Sequence, residues 1–318
     1  MEAFSPNVVQ EQLKALNIHS GDMVFIHTDL NQFGFLKNKD GKFQLALTPN
    51  VLLKALQKIV GVKGTIVVPS FTAILPRSDI FSVSDSVSHM GVFIEHLRQQ
   101  TNCFRSIHPL FSMAAIGSKA RMITEELDTS GYGEKSPYRH LKEHNAKLLM
   151  FGVPYCSFKD YVELQCKVPY RYKKFFHSTI HTKTETYQDT FEHDVKYFTP
   201  KVVLTPFYDI LTEKDKIILH EEALGKGMIR CVEAQPVYEV LKNKFDANPL
   251  FLLKETPDHL DALLIIHKIT QPQDKKEETS LQLFAFQDGP CEKWAWILNN
   301  LRDWEPRIRT KLEQVGVH

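Results

Sequence analysis

The chain has 318 residues, of which 43% are hydrophobic and 24% charged, and its formal net charge at pH 7 is +1. This composition is that of a folded globular protein and excludes an intrinsically disordered chain. Because the net charge is close to zero, no long-range field draws the protein to nucleic acid or to an anionic membrane, and we expect neither as a partner.

The spacing of cysteine and histidine argues against disulfides and metal sites. The five cysteines form no CxxC pair, which is typical of reduced thiols in a cytosol. The fourteen histidines contain no HExxH motif, and no metal site is predicted. No apolar run approaches the ~18 residues of a membrane span, and the N-terminus lacks the pattern of a secretory signal. We therefore expect a cytoplasmic protein.

The first elements of the chain predict a βαβ unit. Ser5 to Leu16 is predicted as a helix, with Ser5 as its N-cap and Pro6 at the first helical position. Met23 to His27 is a short apolar run that predicts a buried strand. Thr48-Pro49 opens a second helix, and Thr65 to Val68 predicts the next strand. Strand, crossover helix and strand indicate a parallel sheet covered by helices.

The rest of the chain continues the α/β pattern less regularly. From Tyr170 to about Pro206, alternation rich in Thr, Lys and aromatic residues predicts antiparallel strands laid over the first region. Further helices are predicted at Gly91 to Arg98, Ala120 to Leu127, Ser136 to His144, Asp160 to Gln165, Thr212 to Leu224 and Gln235 to Phe245, and further strands at Phe111 to Gly117, Lys147 to Gly152 and Met228 to Val232.

Two short stretches carry polar groups that suit ligand binding. His27-Thr28-Asp29-Leu30 ends the first predicted strand, and ligands bind beyond the carboxyl ends of strands in open parallel sheets. The structural alternative is a strand-end turn capped by Asp. Arg105-Ser106-Ile107-His108-Pro109 places a cation, a hydroxyl and an imidazole next to a rigid proline. This group suits a phosphate or a carbonyl, and an ordinary turn is again the alternative.

A third stretch, from Ser157 to Glu163, carries a pair of carboxylates. On a helix, Asp160 and Glu163 lie three residues apart and share a face. Two carboxylates at such a distance repel each other, and the repulsion makes one of them a usable base near neutral pH. A solvated acidic helix face is the structural alternative.

Several motifs follow one another in a specific order. Gly21 to Leu30 forms a strand and loop of the GD-x-hydrophobic-VHSSL type, and Gly61 to Thr72 matches a G-x-x-GT-hydrophobic-P-x-FT segment. The remaining motifs are a G-x-x-x-E-x-hydrophobic-R helix (Gly91, Glu95, Arg98), an RS-x-HP-x-x-S-x-x-A-x-G motif (Arg105, Ser106, His108, Pro109, Ser112, Ala115, Gly117) and a GxGxxSP loop (Gly131, Gly133, Ser136, Pro137). In this order the motifs resemble the aminoglycoside 3-N-acetyltransferase family over roughly residues 8 to 255.

The resemblance implies an acetyl-CoA-dependent N-acetyltransferase with a three-layer α/β/α fold, a mostly parallel central sheet and an antiparallel insertion. Hydroxyls, backbone N–H groups and a guanidinium suit the pyrophosphate and pantetheine of the donor, acetyl-CoA. The CoA-binding residues that the resemblance implies are Thr28, Asp29, Leu30, Thr72, Arg105, Ser106 and Ser136. The catalytic residues that it implies are Asp160, Glu163 and His108.

The chain departs from the family at the third stretch. The family carries His-x-x-Glu there, and its His is thought to deprotonate the attacking amine. Glu163 matches the family Glu, but Asp160 stands at the His position. An unperturbed Asp is a weaker base at pH 7 than imidazole. Asp160 either acts as a base beside Glu163, or binds a cationic amine and leaves deprotonation to water or His108, or the protein no longer acetylates anything.

Family chains usually end near Leu250, so the resemblance divides this chain into a domain over residues 1–255 and a C-terminal extension over residues 256–318. The apolar residues Trp294, Ile297, Leu301 and Trp304 stand at helical spacing in the extension and predict a core-packed helix. The sequence leaves open whether the extension serves docking or oligomer contacts, and whether the protein forms a homo-oligomer.

The run from Lys167 to Phe176 resembles family members from polysaccharide clusters more than drug-resistance members. We therefore expect a small-molecule acceptor, an amino sugar or nucleotide-linked amino sugar used for surface polysaccharide. The near-neutral charge agrees, because a binder of polycationic aminoglycosides is expected to be acidic. The alternatives are an antibiotic 3-N-acetyltransferase and a catalytically silent relative that acts through a partner.

Overall fold

The computed structural model of the protein describes residues 3–37, 39–72, 80–168, 171–196, 215, 219–249 and 251–252. Its helices in chain order are α1 (Pro6–Ala15), α2 (Pro49–Val60), α3 (Val92–Arg98), α4 (Ala120–Thr124), α5 (Pro137–Glu143), α6 (Phe158–Gln165) and α7 (Ala234–Ala247). Its strands are β1 (Met23–Thr28), β2 (Phe35–Lys37), β3 (Phe43–Leu45), β4 (Thr65–Pro69), β5 (Ile80–Ser82), β6 (Phe104–Arg105), β7 (Met113–Gly117), β8 (Lys147–Phe151), β9 (Arg171–His181), β10 (Thr186–Lys196), β11 (His220–Leu224) and β12 (Gly227–Glu233).

The first two helices begin where the sequence predicts. The hydroxyls of Ser5 and Thr48 accept hydrogen bonds from the backbone N–H groups of Val8 and Val51, each over 3.4 Å. Each cap satisfies one of the free N–H groups of the first turn. Helix α2 ends at Gly61, whose φ of 64° lies in the left-handed region that favours glycine.

Seven strands form the central sheet, in the order β11-β12-β8-β1-β4-β7-β6. Strand β1 pairs in parallel with both β4 and β8, whereas the other neighbouring pairs are antiparallel. Two successive antiparallel pairings restore the direction, so β6 and β11 point the same way as β1, β4 and β8. Five of the seven strands therefore share one direction, which confirms a mostly parallel sheet.

Helices cover both faces of the central sheet. Side chains alternate between the two faces along each strand, so each face carries apolar residues that the helices bury. One face of β1 places Val24 and Ile26 in a core with residues of α1, α2 and α3. The opposite face places Met23 and Phe25 in a second core with residues of α4, α5, α6 and α7. This arrangement confirms the expected three-layer α/β/α fold.

The predicted antiparallel insertion is also present. Strands β9 and β10 form a long hairpin whose register runs from Arg171↔Lys196 to His181↔Thr186. Strand β5 joins the other edge of β9 in parallel and completes a three-stranded sheet. The hairpin and β5 therefore form a second, smaller sheet beside the central one.

One predicted element is wrong. Residues His220 to Leu224, part of a helix predicted from Thr212, form strand β11 and pair with β12. Gly225, with φ 62°, makes the tight turn between the two strands. Glu, Ala and Leu favour a helix, but pairing with the neighbouring strand β12 stabilises the extended conformation here, because tertiary contacts override intrinsic propensity. The predicted Trp294 helix and the extension over residues 256–318 lie outside the described residues.

Candidate active site

One edge of the central sheet receives all three predicted stretches. Strands β1, β4 and β8 end there, β1 at Thr28. The register Pro69↔Met113 brings the start of β7 to the same edge, so the turn between β6 and β7 lies there too. Helix α6 begins at Phe158, shortly after β8 ends. This edge is the one at which open α/β sheets bind ligands.

Four buried charged side chains meet at helix α6, and we call them the charged cluster: Lys159, Asp160, Glu163 and Arg171. Arg171 is the first residue of β9. Its Nε donates to Glu163 Oε2 over 2.7 Å, and its Nη2 contacts the carboxylates of both Glu163 and Asp160. Lys159 Nζ donates to Glu163 Oε1 over 2.8 Å. Asp160 and Glu163 therefore share one guanidinium group.

Each carboxylate oxygen of the charged cluster accepts a hydrogen bond. Asp160 accepts from Arg171 and from the hydroxyl of half-buried Tyr155, and Glu163 accepts from Lys159 and Arg171. Two positive charges balance two negative charges, which compensates the repulsion between the carboxylates. Burial acts to lower the pKa of Lys159 and of Arg171, but Glu163 and Asp160 outweigh burial and raise both.

The sequence predicts a role in the site for Asp160 and Glu163 but none for the two cations. Lys159 stands four residues before Glu163, a helical pairing distance that is visible in the sequence. Arg171 comes from a different element, and no local signal predicts that its guanidinium reaches α6. The charge balance of the site was therefore not predictable from the acidic pair alone.

A hydrogen-bonded chain of Tyr138, Ser157 and His27 lies at the start of α6. The Tyr138 hydroxyl donates to Ser157 Oγ over 2.7 Å, and Ser157 Oγ lies 3.0 Å from His27 Nε2. The Ser157 backbone N–H also donates to Nε2, over 3.3 Å, which assigns Nε2 as an acceptor. Burial lowers the pKa of His27 to about 3, although Asp160 acts to raise it. His27 is thus a neutral acceptor that joins β1 to α6.

Arg105 is buried and bonded to the protein itself. Its Nε lies 3.0 Å from Ser70 Oγ and 3.1 Å from Ser112 Oγ, and its Nη2 donates to the Ser70 carbonyl over 2.8 Å. Its Nη1 donates to the carbonyls of Val83 and Ser86 over 3.3 and 2.5 Å. Burial lowers the pKa of Arg105 to about 10. The guanidinium ties the turn to two neighbouring loops.

His108 is also committed to the backbone. Its Nδ1 accepts from the N–H groups of Leu110 and Phe111 over 3.2 and 3.0 Å, so the proton is on Nε2, which lies 3.3 Å from the Glu192 carbonyl. Burial lowers the pKa of His108 to about 4. These contacts hold the β6–β7 turn and attach it to β10. The catalytic role that the resemblance implies for His108 remains a prediction from the sequence.

The other predicted CoA-binding residues lie at the same edge but differ in burial and in the hydrogen bonds of their side chains. Asp29 caps the turn after β1, where its carboxylate accepts from the Asn31 backbone and the Gln32 side chain. Half-buried Thr28 has a hydroxyl without a partner among the described residues. Buried Leu30 offers no polar side chain, and Thr72, Ser106 and Ser136 bond backbone groups through their hydroxyls. Among these residues, Thr28 is therefore the one whose hydroxyl the described residues leave open to a ligand, and CoA binding by all of them stays a prediction.

Strand β10 connects the β6–β7 turn with the charged cluster. The Glu192 carbonyl contacts His108, and the Asp194 carbonyl accepts from Arg171 Nη1 over 2.9 Å. Two residues along a strand span about 7 Å. The turn and the charged cluster therefore contact β10 at two points about 7 Å apart, which is the length of a small sugar.

A cleft of about 1050 Å³ lies between the β9–β10 hairpin and β6, the outermost strand on one side of the central sheet. Arg105 and Ile107 line it from the turn, and Tyr187, Asp189 and Phe191 line it from the hairpin. No residue of the charged cluster lines this cleft. In the described part of the chain, no group of three or more His, Cys, Asp or Glu is placed to hold a metal ion, and no helix is long and apolar enough to cross a membrane.

Residues 25–246 match the family model described as aminoglycoside 3-N-acetyltransferase. Aminoglycoside N(3)-acetyltransferase IV from Salmonella sp is 24% identical over 246 residues, which cover 76% of this chain and 87% of that protein. The prophage-derived aminoglycoside N(3')-acetyltransferase-like protein YokD from Bacillus subtilis is 25% identical over 186 residues, 51% of this chain and 65% of that protein.

Solved structures share the fold. The binary complex of AAC-IIIb with CoASH is 22% identical, with a TM-score of 0.64 over 80% of this chain and 100% of that chain. AAC-VIa bound to sisomicin is also 22% identical, with a TM-score of 0.64 over 77% of this chain and 98% of that chain.

The α/β/α fold and the family match define an N-acyltransferase that takes its acyl group from a coenzyme A thioester. The chain belongs to the aminoglycoside 3-N-acetyltransferase family, whose acyl donor is acetyl-CoA, as the sequence motifs indicated.

Proposed function

We propose that this protein transfers the acetyl group of acetyl-CoA to the amine of an amino sugar or nucleotide-linked amino sugar, of the kind used for surface polysaccharide. The observation that carries acetyl transfer to an amine is the family match over residues 25–246. Helix α6 carries Asp160 and Glu163 at the edge of the sheet where β1, β4 and β8 end. Gentamicin and sisomicin are ligands of structural relatives, and both contain amino sugars, so the chemical class of the acceptor agrees.

Asp160 is the carboxylate that an acceptor reaches. Its side chain is 10% exposed, whereas that of Glu163 is 1% exposed. In the proposed reaction the amine nitrogen bonds to the thioester carbonyl carbon, and the carbon–sulfur bond breaks to release CoA thiol. The nitrogen loses one proton, to Asp160 or to water, and the thiolate gains one. Asp160 orients the amine, and the proximity of the amine to the thioester supplies much of the acceleration.

Thiol release tests this function. Purified full-length protein and acetyl-CoA are mixed with a panel of amines that includes glucosamine, a nucleotide-linked amino sugar, gentamicin and sisomicin. We expect acceptor-dependent release of CoA thiol and an acceptor heavier by one acetyl group in mass spectrometry. Absence of release with every amine would contradict the proposal.

A second candidate function is binding without turnover. It is favoured by the donors on all four carboxylate oxygens of Asp160 and Glu163, because an amine has to compete with them. Calorimetry with acetyl-CoA separates the two candidates. A silent relative binds acetyl-CoA but releases no thiol with any acceptor, whereas the enzyme does both.

A further inference from the structure

We propose that the β2–β3 hairpin binds the 3′-phosphorylated adenosine end of acetyl-CoA. The rings of Phe35 and Phe43 stack on the purine. The ammonium groups of Lys37 and Lys39 contact the 3′-phosphate. The inference rests on the proposed function, because it concerns the donor of the same reaction. It adds a recognition surface for the end of the donor that takes no part in acyl transfer.

Two phenylalanines of the hairpin are exposed to solvent. Phe35 begins β2 and is 49% exposed, and Phe43 begins β3 and is 74% exposed. Neighbouring large apolar side chains on a surface indicate a binding site, whereas a single one does not. Leu45, the last residue of β3, packs against the core. The core contact of β3 is therefore made by Leu45, and the ring of Phe43 is available to a ligand.

The two rings share one face of the hairpin. The register pairs Phe35 with Leu45 and Lys37 with Phe43, and directly opposite residues of antiparallel strands point to the same face. Phe35 and Phe43 are therefore diagonal neighbours, about 7–8 Å apart. An aromatic ring binds any nucleobase by stacking, because every base has a π-face. Either ring thus offers a platform for an adenine.

Lysines supply positive charge beside the rings. Lys37 lies opposite Phe43, and Lys39 follows in the turn between the strands. Both are exposed, and neither pairs with a carboxylate within the part of the chain that the structure describes. Asp40 stands beside Lys39, but residues 35–45 contain three lysines against this one aspartate. A phosphate monoester carries nearly two negative charges at neutral pH, and lysine binds phosphate as a point charge.

The hairpin lies close along the chain to the ligand-binding edge of the sheet. Strand β1 ends there at Thr28, whose hydroxyl is open to a ligand, and the short 3₁₀ helix Leu30–Phe33 leads into β2. With four steps of extended backbone and three of 3₁₀ helix, Phe35 lies within about 20 Å of Thr28. The pantetheine and pyrophosphate of an extended donor span such a distance. A thioester bound at the edge therefore leaves the adenosine end within reach of the hairpin.

Calorimetry with CoA and 3′-dephospho-CoA tests the inference, because the two ligands differ only in the 3′-phosphate. We expect wild type to bind CoA about fivefold or more tightly than dephospho-CoA. In the double variant Lys37→Gln with Lys39→Gln, this preference is expected to fall below about twofold, because only CoA loses affinity. Phe43→Ala is expected to weaken the binding of both ligands about fivefold or more, since both carry the adenine.

Matched controls lie away from the hairpin, on α2 and in the turn that follows it. Val62 is 94% exposed, so Val62→Ala shortens an apolar side chain in solvent, as Phe43→Ala does. The double variant Lys54→Gln with Lys63→Gln removes two exposed lysine charges. Both controls are expected to bind CoA and dephospho-CoA within about twofold of wild type, because charges at a distance are screened.

The wild-type protein provides a test that needs no variant, since equal affinities for CoA and dephospho-CoA, or no binding of either, overturn the inference. An undiminished preference in the folded lysine variant, or unchanged affinities in Phe43→Ala, also overturns it. So does a loss in these variants that is confined to a nucleotide-linked amino sugar, which would assign the hairpin to the acceptor.

The two proposals fail separately. Thiol release by a wild type that binds CoA and dephospho-CoA equally supports acyl transfer and refutes the hairpin site. A preference for the 3′-phosphate that the lysine variant loses, without thiol release with any amine, supports the hairpin site and refutes acyl transfer.

Discussion

The β6–β7 turn and the charged cluster are both buried and polar, yet they use their polar groups differently. In the turn, Arg105 and His108 bond mainly to backbone carbonyls and N–H groups. In the charged cluster, side chains bond to side chains, and one of them, Asp160, keeps some exposure. The turn is therefore held through the backbone, whereas the charged cluster depends on side chains from α6 and β9. We therefore propose that acyl transfer takes place at the charged cluster and that the turn supports the site.

The largest expected effect comes from breaking the charged cluster. Glu163→Ala leaves Lys159 and Arg171 buried with one carboxylate between them. We expect the free energy of unfolding to fall by about 3–5 kcal/mol, because an uncompensated buried charge is strongly destabilising. Urea denaturation at pH 7 measures the change.

A matched control is Glu143→Ala at an exposed position of α5, which breaks a surface pair with Arg139 and is expected to cost less than about 1 kcal/mol. Equal losses in the two variants would mean that the charged cluster behaves like a solvated pair and is not the buried site described above.

A smaller effect is expected in the turn. Arg105→Lys keeps a positive charge but loses the planar fork that reaches five protein oxygens. We expect a loss of about 2–3 kcal/mol of stability, since each hydrogen bond of a charged group is worth roughly 1.5–3 kcal/mol and a lysine retains part of them. Urea denaturation and calorimetry with CoA are run on the same preparation.

The CoA affinity of folded Arg105→Lys is expected to stay within about threefold of wild type, because the guanidinium is occupied by the protein. A folded variant with unchanged stability and a large loss of CoA affinity would assign the guanidinium to the ligand, as the family resemblance implied.

Some of these features could be predicted from the sequence because their causes are local. The caps at Ser5 and Thr48 and the end of α2 at Gly61 depend on a few neighbouring residues. Strand β11 was mistaken for a helix because its residues favour helix and its pairing with β12 is tertiary. The contact between His27 and Ser157 joins residues 130 positions apart, and the contact of Arg171 with Asp160 joins two elements. The spacing of residues within one segment of the sequence predicts neither contact.

The smallest expected effect concerns acid stability. Burial lowers the pKa of His108 to about 4, below its ordinary value of about 6.5 in an unfolded chain. Between these values the unfolded state binds a proton that the folded state does not, so this group contributes a loss of stability as the pH falls from about 6.5 towards 4.

His108→Asn removes the titrating group and keeps an oxygen that can accept from the Leu110 and Phe111 N–H groups. We expect the variant to be less stable than wild type at pH 7 but to lose less stability between pH 7 and pH 5, measured by urea denaturation at both values. An equal or steeper loss in the variant would show that His108 titrates normally in the folded protein.

The most direct test of acyl transfer beside Asp160 compares thiol release by wild type and by Asp160→Ala, with the best amine of the acceptor panel and saturating acetyl-CoA. We predict that the rate falls by about tenfold or more, because a group that orients or deprotonates a nucleophile is typically worth about 10²–10⁴ in rate, while acetyl-CoA binding persists. Equal rates in the two proteins would contradict the account and move the chemistry away from the charged cluster.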